Sequence, residues 1–303
     1  MVFKRMLAAL GVGGPSVDTV LDHPVARPGG FVEGQVHIRG GDREAQIDRV
    51  LVSLITRVKS AGDQQLVTFP AAERLRVAAG EDLAVPLRLP VPWETPITTV
   101  YGRPLTGMVM GVRTELEVTG GRDRGDLDPV GIEPLPAQQR ILDALSELGF
   151  RFKSADVEPG VIHGLPQQLP VFQEIEFWPA PQYAGRVNEV ELTFVADPRG
   201  VEVVLELDKR RGHDAYSRFA IAHDDAGRPD WTRVVDGWIR EATDRHVAVY
   251  GAPGPEYGYP GHRRGPGIGT AVAAGAAGVV GGMVAGELIE EAFFDEGDED
   301  FFG

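Results

Sequence analysis

The chain has no cysteine at all. That excludes disulfides, a thiol nucleophile and the common cysteine-containing zinc sites, and it suits a reducing cytoplasm. Positive charge is also scarce, with 30 Lys and Arg against 45 Asp and Glu and a net charge of −15 over 303 residues. A general nucleic-acid binder needs clustered cations to neutralise phosphate, so no nucleic acid is expected as partner. Residues 251–303 hold two arginines against nine acids, which makes −7 for this tail and −8 for the body. The catalytic signatures are missing as well. There is no GxSxG elbow, no GxxxxGK[ST] loop and no HExxH pair, and the GxG at Gly267 and Gly269 follows no strand. MVFKRMLAAL at the start lacks the long apolar core and small-residue cleavage site of a signal peptide. Its Val2, Phe3, Met6, Leu7 and Leu10 are helically spaced around Lys4 and Arg5. A short helix packed on the body is preferred to a membrane-surface anchor.

What the chain does have is alternation. In Val17–Gly41, VDTVL is a short β-branched run, and Pro24, Pro28, Gly29 and Gly30 then supply turn chemistry. Val32, Gly34, Val36 and Ile38 follow on one parity, with Glu33, Gln35, His37 and Arg39 on the other. Period 2 of this kind predicts a hairpin with one wet face. Further strands are expected in IDRVLVSLITRVKS, LVTFP, RLRVAAG, DLAVPLRLPVP and GMVMGVRTELEVT. Pro86 and Pro90 cannot donate to a ladder, so their strand belongs at an edge or a bulge. With no helical pattern between Gly41 and Gly120, the expectation is an antiparallel sandwich over residues 1–130.

The hairpin block, LVSLITR, and WETPIT at Trp93–Thr98 together resemble the bacterial sporulation-control proteins of the arrestin-like group. The resemblance runs to about residue 210. It implies an all-β fold with two antiparallel immunoglobulin-like or arrestin-like β-sandwich domains, a few short helices, and no enzymatic activity. The role implied is control of sporulation or cell development through contacts with regulatory or cytoskeletal proteins.

GGRDRGDLDP is loop-like at first and is expected to carry the last strand residues of the first domain into the linker to the second, expected over 131–250. Ile141, Leu142, Leu145 and Leu148 stripe a helix at 137–149 that Gly149 can cap. LPVFQEIEFWP, VNEVELTFVAD and VEVVLELDKR alternate as strands, and AYSRFAIAH does so more weakly. The Gln173–Glu174 pair and Glu206, Asp208 and Arg210 are expected on the sheet surface. A helix at 230–246 starts behind Asp230 as N-cap and carries Trp231, Val234, Val235, Trp238, Ile239 and Ala242 on one face. Trp231 and Trp238 either pack on the second sheet, the preferred reading, or present a helix to a partner's groove.

From residue 251 the chain is Gly-rich and then acidic, and is expected to be disordered or a single helix. Residues 265–286 carry no charge, and Gly278, Gly282 and Gly286 would form one flat helical face for self-association or membrane contact. Gly and Ala dominate, so insertion is weakly driven and peripheral contact at the inner face of the cell membrane is preferred to a span. Phe293, Phe294, Phe301 and Phe302 among acids suit either a docking motif or a solubilising tail. A homo-oligomer stays open. Two alternatives remain: a membrane-associated structural protein built on the tail, and a metal-dependent enzyme using His213–Asp214 with His223–Asp224–Asp225. The preferred reading assigns no catalytic residue, no cofactor and no metal.

Overall fold

The structure is a computed structural model, and it describes residues 13–120, 123–209, 215–227 and 230–244. It divides into two compact units at residue 133/134, with residues 100–107 grouped with the second.

In the first unit β1 (Ser16–Leu21), β2 (Phe31–Arg39) and β5 (Asp82–Pro90) form a sheet in the order β1-β2-β5. The opposing sheet runs β7-β6-β3-β4, from β3 (Ala45–Val58), β4 (Gly62–Val77), β6 (Met110–Val118) and β7 (Arg124–Pro129). Strand β2 alternates as expected, with Val32, Gly34, Val36 and Ile38 buried and their neighbours exposed. Pro86 and Pro90 lie on an edge strand, where a missing N–H costs no ladder bond. LVTFP and RLRVAAG, read as separate candidates, belong to one 16-residue strand. RGDLDP, read as the last strand residues of this domain on the way into the linker, is an edge strand on β6. The two sheets bury Val36, Val50, Val52, Leu54, Val112 and Leu116 between them. A hydroxyl pair, Thr19 with Thr114 at 2.7 Å, ties β1 to β6, and the Thr19 N–H donates to Asp126 on β7. This unit is an antiparallel sandwich.

In the second unit β8 (Arg151–Pro159), β9 (Val171–Trp178), β10 (Val187–Ala196), β11 (Gly200–Lys209) and β12 (Ala215–Ala222) form one antiparallel five-stranded sheet in chain order. Its apolar parity, including Ile175, Leu192, Leu205 and Val190, is buried. Helix α1 (Pro136–Glu147) buries Ile141, Leu142 and Leu145 and ends in Gly149 at φ +92, the left-handed cap the sequence points to. Helix α2 (Trp231–Asp244) packs on α1 and on β11 and β12. Its first turn is capped as expected, with the Arg233 N–H donating to Asp230 Oδ1 at 3.2 Å.

Candidate functional site, a carboxylate face on the second sheet

Opposite parity on the same sheet gives a face of another kind. The register aligns Ser154 with Glu176, Glu176 with Glu191, Glu191 with Glu206, and Glu206 with Tyr216. One row thus crosses all five strands and places three glutamates at directly opposed positions. Opposed residues of neighbouring strands bring their Cβ atoms to about 4.5–5.5 Å, where like charges repel. Neighbouring rows on the same face add Asp156 opposite Glu174, and Glu189 opposite Asp208.

The face is not the open surface that alternation suggests. Glu158, Glu174 and Glu206 are 5, 3 and 7% exposed, and Gln173 is buried as well. The expectation of surface positions for Gln173, Glu174 and Glu206 is therefore corrected, and part of the reason is a covering segment. Between β8 and β9, residues 160–170 lie over one end of the face, where Ile162 packs on Phe172, Val195 and Val204 with Leu165 beside them. Gln167 ties this segment together, accepting from the Ile162 N–H and donating to the Gly160 and Leu169 carbonyls. From β12, Arg218 donates to the Gly164 carbonyl at 2.7 Å and to Glu202 at 3.0 Å.

One lysine enters the row. A register shift between Phe152 and Ser154 inserts Lys153, and an extra strand residue of this kind re-aims a side chain. Its Nζ sits 2.9 Å from Glu176 and 2.6 Å from Glu189, and 5.1 Å from the Trp178 ring centre. Burial pushes the Glu176 carboxyl up, but donation from Ser154 (2.5 Å) and Lys153 outweighs it and leaves that carboxyl below its ordinary value. Glu189 shares the lysine yet ends above its ordinary value, because burial and the Glu176 charge prevail. Glu191 has neither donor. Burial first, then Glu206, Glu174, Glu189 and Glu176, push its carboxyl up to about 9. Its Oε2 is buried with no hydrogen-bond partner.

Asp156, Glu158 and Glu174 bring one carboxylate oxygen each within 4.8 Å of one another. Such hard oxygen donors are the kind a divalent cation takes, but crowded acids are common without one, and no metal role is assigned to them. Sequence reasoning missed Lys153 and the shared row. Acids on one parity of three successive strands were the available signal, but only the register shows that they meet.

The other candidates fall as follows. Trp231 is 9% exposed, with its indole N–H donating to the Ala226 carbonyl at 2.8 Å. Trp238 stacks on Phe219 at 4.3 Å and meets Trp231 edge-on at 6.3 Å. Both tryptophans pack within the second unit, and a shallow hollow along α2, lined by Arg233, Val234, Gly237 and Trp238, stays open. His223 has its Nε2 2.8 Å from the Asp197 carbonyl, while His213 and Asp214 lie outside the described residues. Gly278, Gly282 and Gly286, and the whole tail, also lie outside them. No helix among the described residues is long and apolar enough to cross a membrane.

The match to known proteins reaches into both units. The family model described as SpoOM protein matches residues 3–211. The sporulation-control protein spo0M of Bacillus subtilis (strain 168) is 32% identical over 217 residues, which is 69% of this chain and 81% of that protein. The crystal structure of Spo0M from Bacillus subtilis superposes with a TM-score of 0.64 at 26% identity, covering 78% of this chain and all of that one. The all-β, antiparallel architecture agrees with that structure. The chain belongs to the Spo0M family of sporulation-control proteins.

Proposed function

We propose that the chain is a non-enzymatic, arrestin-like adaptor in the control of sporulation or cell development, acting through contacts with regulatory or cytoskeletal proteins. The observation that carries this reading is the likeness to a sporulation-control protein, with a family match that reaches into both units. The chemistry of the carboxylate face supports it. Its acids are held by sheet register, with a serine and a lysine as donors to Glu176. Such an arrangement sets charge and stability, whereas a nucleophile would need a positioned base beside it. The His223 alternative loses ground, because its ring is engaged by a backbone carbonyl. The work is placed in the cytoplasm, with peripheral membrane contact or self-association assigned to the tail glycines.

Deleting the gene in its own host and scoring spore yield and timing tests the regulatory half. An unchanged sporulation programme refutes it. Crosslinked purification of the full chain, beside a chain ending at residue 250, tests the adaptor half. Recovery of specific proteins, with localisation changed by the truncation, is the expected result. The same recovery from an unrelated control protein refutes the adaptor role.

A further inference from the structure

We propose that the row Glu176–Glu191–Glu206 is a proton-operated device, in which Glu191 is kept as the neutral acid and its ionisation weakens the second sheet. The inference is independent of the adaptor reading. It starts from register, since β9, β10 and β11 place the three carboxyls directly opposite one another.

Three carboxylates cannot all ionise side by side in a half-buried row without strong repulsion. Which one keeps a proton depends on the donors within reach. Glu176 receives the Ser154 hydroxyl and the Lys153 ammonium, so its charge is supported. Glu189, one step along β10, receives the same ammonium. Glu191 is the middle member, opposed by a carboxyl on each side and with its Oε2 buried and unbonded, whereas Glu206, whose Oε2 is buried too, faces Tyr216 on its other side. The proton therefore belongs on Glu191.

The surroundings from every packed element agree. From β8 come Arg151, Lys153, Asp156 and Glu158, from β9 Glu174 and Glu176, from β10 itself Glu189, and from β11 Glu202, Glu206 and Asp208. Edge strand β12 adds Tyr216 and Arg218, and Arg218 is committed to Glu202 and the Gly164 carbonyl. His163 in the covering segment is exposed. Among the described residues, Arg151, Lys153 and Arg218 are the cations on this face, and none of them bonds Glu191. The raised carboxyl of Glu191 agrees with this placement.

The direction follows from proton linkage. An unfolded glutamate releases its proton near its ordinary value of 4.5, and the folded row holds it to about 9. Across that window the native state carries one more proton than the unfolded state. Stability is then full at low pH and falls as pH rises, by up to about tenfold in the folding equilibrium constant per pH unit. Above the window the loss is complete and the slope vanishes.

The test is urea unfolding of the full chain between pH 5 and 9, for the wild type, Glu191→Gln and Glu206→Gln. Glutamine keeps the shape of the neutral acid, so E191Q should flatten the decline and equal or exceed the wild type at pH 8. E206Q removes one repelling charge and should move the decline to lower pH. If E191Q and the wild type run parallel across the range, the proposal is overturned. Should E191Q fail to fold, infrared spectroscopy of the wild type at pH 7 decides. A protonated-carboxyl stretch that E206Q diminishes supports the device, and the lack of that stretch overturns it.

Discussion

Truncating Trp231 to alanine separates a helix that holds the second unit together from one kept for a partner. The indole is 9% exposed, meets Trp238 edge-on at 6.3 Å, and donates to the Ala226 carbonyl at 2.8 Å. Removing a buried Trp side chain costs about 3–5 kcal/mol from lost transfer energy and the cavity left behind. The abandoned carbonyl adds to this, but the two terms overlap, so about 4 kcal/mol is the working figure. Against a domain stability of about 5–15 kcal/mol that is a large fraction. With a urea slope of about 2 kcal/mol/M, the midpoint should drop by about 2 M. Circular dichroism is the readout, because the substitution removes a fluorophore. Trp178→Ala is the control. That ring is 45% exposed on the opposite face, and its loss should cost about 1 kcal/mol or less. If Trp231→Ala shifts stability by less than about 1 kcal/mol, the packing argument fails and the helix is held for something outside the chain.

Three other substitutions probe separate links. Thr19→Val leaves the fully buried Thr114 hydroxyl without its partner and should cost about 1–3 kcal/mol, whereas the double change to valine should recover part of it, as thermal melts would show. Gly34→Ala would place a Cβ 2.2 Å from the Val20 carbonyl oxygen, so overpacking of about 1–3 kcal/mol or more should lower the melting temperature by several degrees. Lys153→Met removes the cation between Glu176 and Glu189, so both carboxyls should hold protons to higher pH. The native state then binds more protons than the unfolded one in that range, and the variant should lose more stability at pH 8 than at pH 5. Equal losses at both pH values would sever the link between Lys153 and the row.

Most of the strand pattern was legible because burial leaves a mark at period 2. Val32 to Ile38 and Val187 to Ala196 read directly as strands, and Asp230 and Gly149 marked helix ends through capping chemistry. RGDLDP was legible only in part, as the last strand residues on the way into the linker. It is an edge strand whose residues are nearly all half-exposed, so it carries no apolar alternation to detect. The long strand Gly62–Val77 was split for a related reason, since Pro70 and the exposed run around it interrupt the pattern without breaking the pairing. The carboxylate row was half legible. Glu174, Glu176, Glu189, Glu191 and Glu206 show their common parity in sequence, but parity says nothing about register, and register decides whether charges oppose. Lys153 was hidden because a bulge shifts parity, and one inserted residue leaves no compositional trace.

The row also bears on what the second sheet is selected to do. One step along the same face, the facing positions hold Thr193 and Val204, which pack or bond without desolvating a charge. A sheet that needed only to fold could carry such residues throughout. Burying carboxyls at opposed positions costs free energy unless they are paired or protonated. A single lysine reaches two of them. A stable, charge-free face was available at the price of a few substitutions. A face that keeps a carboxyl waiting for a change in pH is better explained by what its charge does than by what its packing contributes.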